Sequence, residues 1–228
     1  MNEPINRYLD HAVLKPEMTR LEAREAIAVG VSYNVRTVCV RPCDIPMAVE
    51  LCEGRETAVC CVLAFPHGDV PTAVKEAEAR LYVSLGVREI DMVSNYGRIR
   101  SQEWAAVLQD IAAVARIARP ANVLLKVILE TAMLTIDDLV RATELCVEAG
   151  ADYVKTSTGF NGEGATEAGV KAILGAARGR ILVKASGGVR DRARARMFLD
   201  LGCSRLGVGW NSTQAICDMA SVASSEGY

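Results

Sequence analysis

The chain has 228 residues, 50% of them hydrophobic and 24% charged, a composition that builds a large core and excludes a disordered protein. A net charge of −2 gives no electrostatic case for nucleic acid or a membrane surface, and no apolar run reaches the roughly 20 residues of a membrane span. The opening MNEPINRYLDHAVLKPEM lacks the apolar core of a signal peptide, and the eight cysteines sit mostly in apolar company, so a cytoplasmic protein with reduced thiols is expected.

Short β-branched apolar runs alternate with longer amphipathic segments, and candidate strands start near Tyr8, Thr37, Ala58, Glu89, Asn122, Asp152, Arg180 and Ser204. The first run, RYLDHAVL, carries Asp10 and His11 with Lys15 just beyond, and Thr19 is placed to cap the helix that follows. The second, VCV, centres on Cys39, and the third is AVCCVLAF. Periodicity then predicts a helix over Pro71 to Leu85, with Val74, Ala77, Leu81 and Leu85 on its apolar stripe and Gly86 as its stop. The fourth strand, EIDMVSN, holds Asp91 and ends at Asn95, with Ser101 read as the next N-cap. The fifth, VLLKVILE, contains Lys126 and Glu130; Thr135 then caps a helix that Gly150 ends. The sixth, DYVKTS, brings Lys155, Thr156, Ser157 and Thr158, and the seventh, ILVKAS, brings Lys184. After Gly202, the eighth, RLGVG, ends in Gly207 and Gly209.

Eight strand–helix units at intervals of roughly 20 to 35 residues predict a (β/α)8 barrel, an α/β fold, as a single domain over residues 1–228. A small, polar, flexible tail is expected from about 220. No G-x-G-x-x-G turn follows an early strand, which counts against an open Rossmann-type sheet. In barrels of this kind the chemistry gathers at the C-terminal ends of the strands.

Three lysines stand there, on three successive strands. One strand lysine is ordinary, since its stem covers apolar surface while its head reaches water. Lys126, Lys155 and Lys184 together are not explained that way, because a buried unpaired ammonium costs several kcal/mol. Crowded ammonium groups and apolar walls favour the neutral, nucleophilic amine, and such an amine attacks a carbonyl to form a Schiff base. Asp91 can accept protons and balance charge. Two histidines in the whole chain, His11 and His67, argue against a zinc site, so neither a metal nor a cofactor is expected. Gly187, Gly188, Val189 and Arg190 after the seventh strand, with Gly207 and Gly209 after the eighth, fit the phosphate site that barrels build there.

LDHAVLKPEMT, VCVRPCDI, FPHGD, EIDMVSNYG, LKVILET, DYVKTSTGF, VKASGGVR and SRLGVG occur in the order seen in deoxyribose-phosphate aldolases, which the chain resembles from about residue 8 to 210. The resemblance implies a class I aldolase that reversibly cleaves 2-deoxy-D-ribose 5-phosphate to acetaldehyde and D-glyceraldehyde 3-phosphate. It implies Lys155 as the Schiff-base lysine, Lys184 as the neighbouring cation that keeps it neutral, and Asp91 as the proton-transfer carboxylate, linked to Lys184 through water. Asp10, Cys39, Lys126, Thr158 and Gly159 would complete the substrate shell. The C-terminal Tyr228 would assist proton transfer if it reaches the barrel mouth, which requires the last helix to end near Met219. Partners would be a sugar phosphate and aldehydes, and the oligomeric state is left open between a monomer and a homo-oligomer.

Besides Phe160 after KTSTG, which many members share but which supplies no charge, two departures stand out from the family pattern. Its DHT reads Asp10-His11-Ala12 here, and two phosphate-holding serines after the last strand are replaced by Gly207-Val208-Gly209-Trp210. A lysine aldolase preferring an unphosphorylated or differently shaped aldehyde is therefore the competing reading. A non-catalytic sugar-phosphate-binding barrel and a phosphate-binding isomerase are more remote, since neither has a use for three interior lysines.

Overall fold

A computed structural model describes residues 3–218, so the expected tail, Met219 and Tyr228 lie outside the described residues. Eight parallel strands close into a barrel in chain order: β1 (Leu9–Val13), β2 (Thr37–Val40), β3 (Ala58–Leu63), β4 (Glu89–Val93), β5 (Leu124–Ile128), β6 (Tyr153–Lys155), β7 (Leu182–Ser186) and β8 (Arg205–Gly209). Each begins within two residues of the expected start. Around them run α1 (Arg20–Ser32), α2 (Ile45–Cys52), α3 (Thr72–Ser84), α4 (Tyr96–Arg100), α5 (Trp104–Ala118), α6 (Ile136–Ala149), α7 (Glu167–Ala177), α8 (Arg192–Leu201) and the short α9 (Thr213–Cys217). No helix among the described residues is long and apolar enough to cross a membrane.

Local chemistry sets the helix ends. Thr19 accepts the Glu22 backbone N–H while the Glu22 carboxylate accepts that of Thr19, and Thr135 and Asp138 repeat this reciprocal box at α6. Gly150 and Gly202 close α6 and α8 at φ of 79° and 114°, a conformation that L side chains rarely adopt. Ser101 corrects the reading made from sequence. It ends α4 rather than starting α5, and the side chain that caps α4 is Asn95, which accepts from Arg98 N–H at 3.0 Å.

The face of α3 is also reversed. Val74 and Leu81, from the expected apolar stripe, are 42% and 54% exposed, while Lys75, Ala79 and Tyr82 turn inward. The cause is an ion pair that sequence periodicity does not register. Lys75 Nζ donates to Asp110 Oδ2 at 2.6 Å and to the Val93 carbonyl at 3.0 Å, which satisfies a fully buried ammonium.

The pleat divides each strand between two environments. Val38, Val59, Ile90, Val127, Val154 and Val183 face outward into the apolar core beneath the helices, where each buried side chain contributes about 1.5–3 kcal/mol. Inside the barrel Cys39, Cys60 and Val62 form a small apolar cluster, edged by Leu14 and Phe65. Beside it lie the buried charged residues of the interior, and there the site is built.

Candidate active site

Register brings the charged residues level with one another. Asp91 on β4 pairs with Lys126 on β5, and Lys155 on β6 pairs with Lys184 on β7. Asp91 Oδ2 accepts from Lys155 Nζ at 2.7 Å and from Lys184 Nζ at 2.6 Å, while Oδ1 accepts from Lys126 Nζ at 2.8 Å. The Asp91–Lys184 link is thus direct, not through water. Asp10 Oδ2 accepts a second bond from Lys184 at 2.5 Å, and its Oδ1 takes Arg205 at 2.6 Å and the Thr37 hydroxyl at 2.7 Å. Below them Glu89 holds Lys126 at 2.5 Å and Arg205 at 3.0 Å.

Burial alone would raise the Asp91 carboxyl, but the ammonium groups of Lys126, Lys155 and Lys184 overcome it and hold Asp91 well below the usual carboxylate range. Asp10 is lowered in the same way against burial, by Arg205, Lys126 and Lys184. For Lys184 the expected mutual depression of neighbouring amines loses. Burial pushes its ammonium down, yet Asp10 and Asp91 outweigh it and hold Lys184 above its ordinary value. Lys126 follows the same balance.

A cavity of about 440 Å3 opens above this layer at the C-terminal ends of the strands. Asp10, Cys39, Lys155 and Lys184 line its floor, and Thr158 and Gly159 form one side. Gly187 stands beside Gly159 and continues the wall through Gly188, Val189 and Arg190, with Gly207 and Gly209 completing the rim. Asp91 and Lys126 are absent from the wall and lie beneath it, both 0% exposed. Lys126 thus supports the floor rather than joining the expected substrate shell. Gly207 has a steric reason: a Cβ there would stand 2.6 Å from Ser186 Cβ and 3.2 Å from Lys184 Cε.

Several site residues escaped the sequence reading. Ser186, Asn211 and Ser212 line the cavity beside Trp210, so hydroxyls remain on the wall where the motif suggested a loss. Their signal was weak, because Ser212 lies beyond the last strand in a short 3-10 turn. Glu89 and Arg205 were legible by a simpler rule, since each alternates in step with an inward neighbour, Asp91 or Gly207. Glu130, noted only as a strand-end residue, accepts from Thr158 N–H at 3.2 Å and from Asn161 Nδ2 at 3.1 Å, which fastens the loop after Lys155 to β5.

The family model for DeoC/LacD family aldolases matches residues 8–201. The chain belongs to the DeoC/LacD aldolase family. It is 41% identical over 204 residues to a deoxyribose-phosphate aldolase of Lactiplantibacillus plantarum, covering 90% of this chain and 95% of that protein. It is 39% identical over 224 residues to a deoxyribose-phosphate aldolase of Enterococcus faecalis, covering 98% and 99%. Among solved structures it resembles the tetrameric deoxyribose phosphate aldolase of Aeropyrum pernix, with a TM-score of 0.85, 27% identity, and 93% and 89% of the two chains covered.

In this DeoC/LacD family aldolase, Cys39, Cys60 and Asp91 bring three ligand atoms within 4.8 Å of one another, the geometry a metal ion would need. Their chemistry does not fit one. Both Asp91 oxygens already accept from ammonium groups, Lys126 Nζ stands 3.4 Å from Cys60 Sγ, and burial pushes the Cys60 thiol well up, away from the thiolate that ligates.

Proposed function

We propose that this chain is a class I deoxyribose-phosphate aldolase that works through an imine on Lys155, with no metal or cofactor. The observation that carries the assignment is the unequal pairing of the three amines. Lys126 meets carboxylates of Asp10, Glu89 and Asp91; Lys184 meets those of Asp10 and Asp91; Lys155 meets Asp91 alone. Lys155 is also on the cavity floor. Its neutral form leaves the fewest ion pairs unmade.

In the cleavage direction the neutral Lys155 amine adds to C1 of the open-chain sugar, and loss of water gives the imine. Removal of the C3 hydroxyl proton then breaks the C2–C3 bond. Glyceraldehyde 3-phosphate leaves, and the electron pair rests in an enamine on Lys155. Protonation of that carbon and hydrolysis release acetaldehyde and restore the amine. Lys184 and Asp91, 2.6 Å apart, with Asp91 also accepting from Lys155, are the groups proposed to pass these protons. Gly187, Gly188, Val189 and Arg190 with Gly207, Gly209 and Ser212 are proposed to hold the phosphate, through backbone N–H groups, one guanidinium and one hydroxyl.

Reduction with borohydride in the presence of acetaldehyde tests the assignment. A mass increase mapped to Lys155, absent from Lys155→Leu, is expected together with loss of turnover in that variant. An adduct mapped to Lys126 or Lys184 overturns the role given to Lys155.

A further inference from the structure

The buried cluster beneath the cavity carries an imbalance of charge. Four cations, Lys126, Lys155, Lys184 and Arg205, face three carboxylates, Asp10, Glu89 and Asp91, and each of the seven is less than 5% exposed; the buried Glu130 carboxylate beyond β5 is held apart by Thr158 and Asn161. Two thiols also face Asp91, Cys60 at 3.3 Å and Cys39 at 3.9 Å. Cys60 stays protonated through burial and does not supply a fourth anion. The hydroxyls of Thr37 and Tyr153 contribute hydrogen bonds only, to Asp10 at 2.7 Å and from Arg205 at 3.3 Å.

The ion pairs form a continuous network. Arg205 bridges Asp10 and Glu89, Glu89 holds Lys126, Lys126 holds Asp91, and Asp91 and Asp10 share Lys184. Lys155 hangs from it by one bond. A surplus positive charge out of water is costly, and the network loses that surplus when one amine gives up its proton. Glu89 and Arg205 do not line the cavity.

We propose that Glu89 and Arg205 are positioning residues which, from beneath the cavity, set the charge balance that keeps Lys155 a free amine. The inference rests on the imine chemistry proposed above. Glu89 draws Lys126 and Arg205 into its own ion pairs, and Arg205 orients Asp10 toward Lys184. Removing the Glu89 charge raises the surplus and favours neutral Lys155; removing the Arg205 charge cancels the surplus and favours its ammonium. The two residues therefore act with opposite sign on one amine.

The test is the pH dependence of borohydride trapping with acetaldehyde in the full-length protein. At an effective dielectric near 20, a unit charge within a Debye length, about 10 Å, displaces a titration by on the order of one pH unit. Glu89→Gln should move the acidic limb of the trapping profile by about that much toward acid, and Arg205→Met by a similar amount toward alkali. The double variant restores the net charge, so its limb should return close to that of the parent. Arg205→Lys keeps the cation and should leave the limb in place, and Arg205→Gln is a second neutral replacement if the methionine does not fold. Reduced trapping in every variant with the limb unmoved overturns the inference, since residues that serve the fold alone lower amplitude without opposite displacements. Failure of the parent to trap acetaldehyde at all overturns the imine reading and this inference with it.

Discussion

His11 lies next to Asp10 on β1, yet the pleat turns it away from the cavity into the layer between strands and helices. Its Nε2 faces the Ala26 carbonyl at 2.9 Å and its Nδ1 the Thr213 hydroxyl at 2.7 Å, so Nε2 carries the proton and Nδ1 accepts. Burial pushes His11 down to about 4, against the opposing pull of the Ala26 carbonyl. A base with a depressed value in the folded state is held neutral there but takes up a proton when unfolded. Its contribution to stability is present above the ordinary value of 6.5 and is lost as pH falls toward 4. The loss is about 3 kcal/mol. Melting temperature followed through that window should fall with acidity and should fall less steeply in His11→Gln. Parallel curves for the two proteins would show that His11 is not the source.

At the scale of an element, α3 is held by a charge and not by the apolar stripe along it. Val74 and Leu81 face water, so exchange of either for lysine should change unfolding free energy by no more than about 0.5 kcal/mol. Asp110→Ala strands the buried Lys75 ammonium and should cost about 3–5 kcal/mol. Urea denaturation of the three variants gives both numbers. A large loss at Val74 or Leu81, dependent on protein concentration, would show instead that another subunit covers this face.

Across the whole molecule, apolar and polar cores are separated by the barrel wall. The apolar core outside the strands supports the fold, and the charged interior supports the site. Because an imine supplies the electron sink that a metal gives in other aldolases, cleavage should survive exhaustive chelation. Activity lost to a chelator and restored by a divalent ion would overturn the proposed mechanism. The same charged interior makes the barrel sensitive to acid. Asp10 and Asp91 are held below the ordinary carboxylate range, so their stabilising effect is complete above it and disappears as pH falls through their lowered values.

The sequence by itself determined the eight units, the barrel and the strand starts, and it singled out the three lysines that the barrel brings together. Period-2 and period-3.6 patterns, N-cap residues and terminal glycines are local, and each acts within a few residues of its own position. The alternation of Asp10 with His11 did not say which of the two faced the cavity, because both are polar and the pleat admits either until the barrel closes. Nor could α3 declare its buried face, since that depends on Asp110, 35 residues away in the chain. Tertiary structure also decided the electrostatics. Three neighbouring lysines suggested mutual repulsion, but Asp10, Glu89 and Asp91 converge on them from β1 and β4 and reverse its effect at Lys126 and Lys184. Coulomb energy depends on distances between strands remote in sequence, and only the closed barrel specifies those distances.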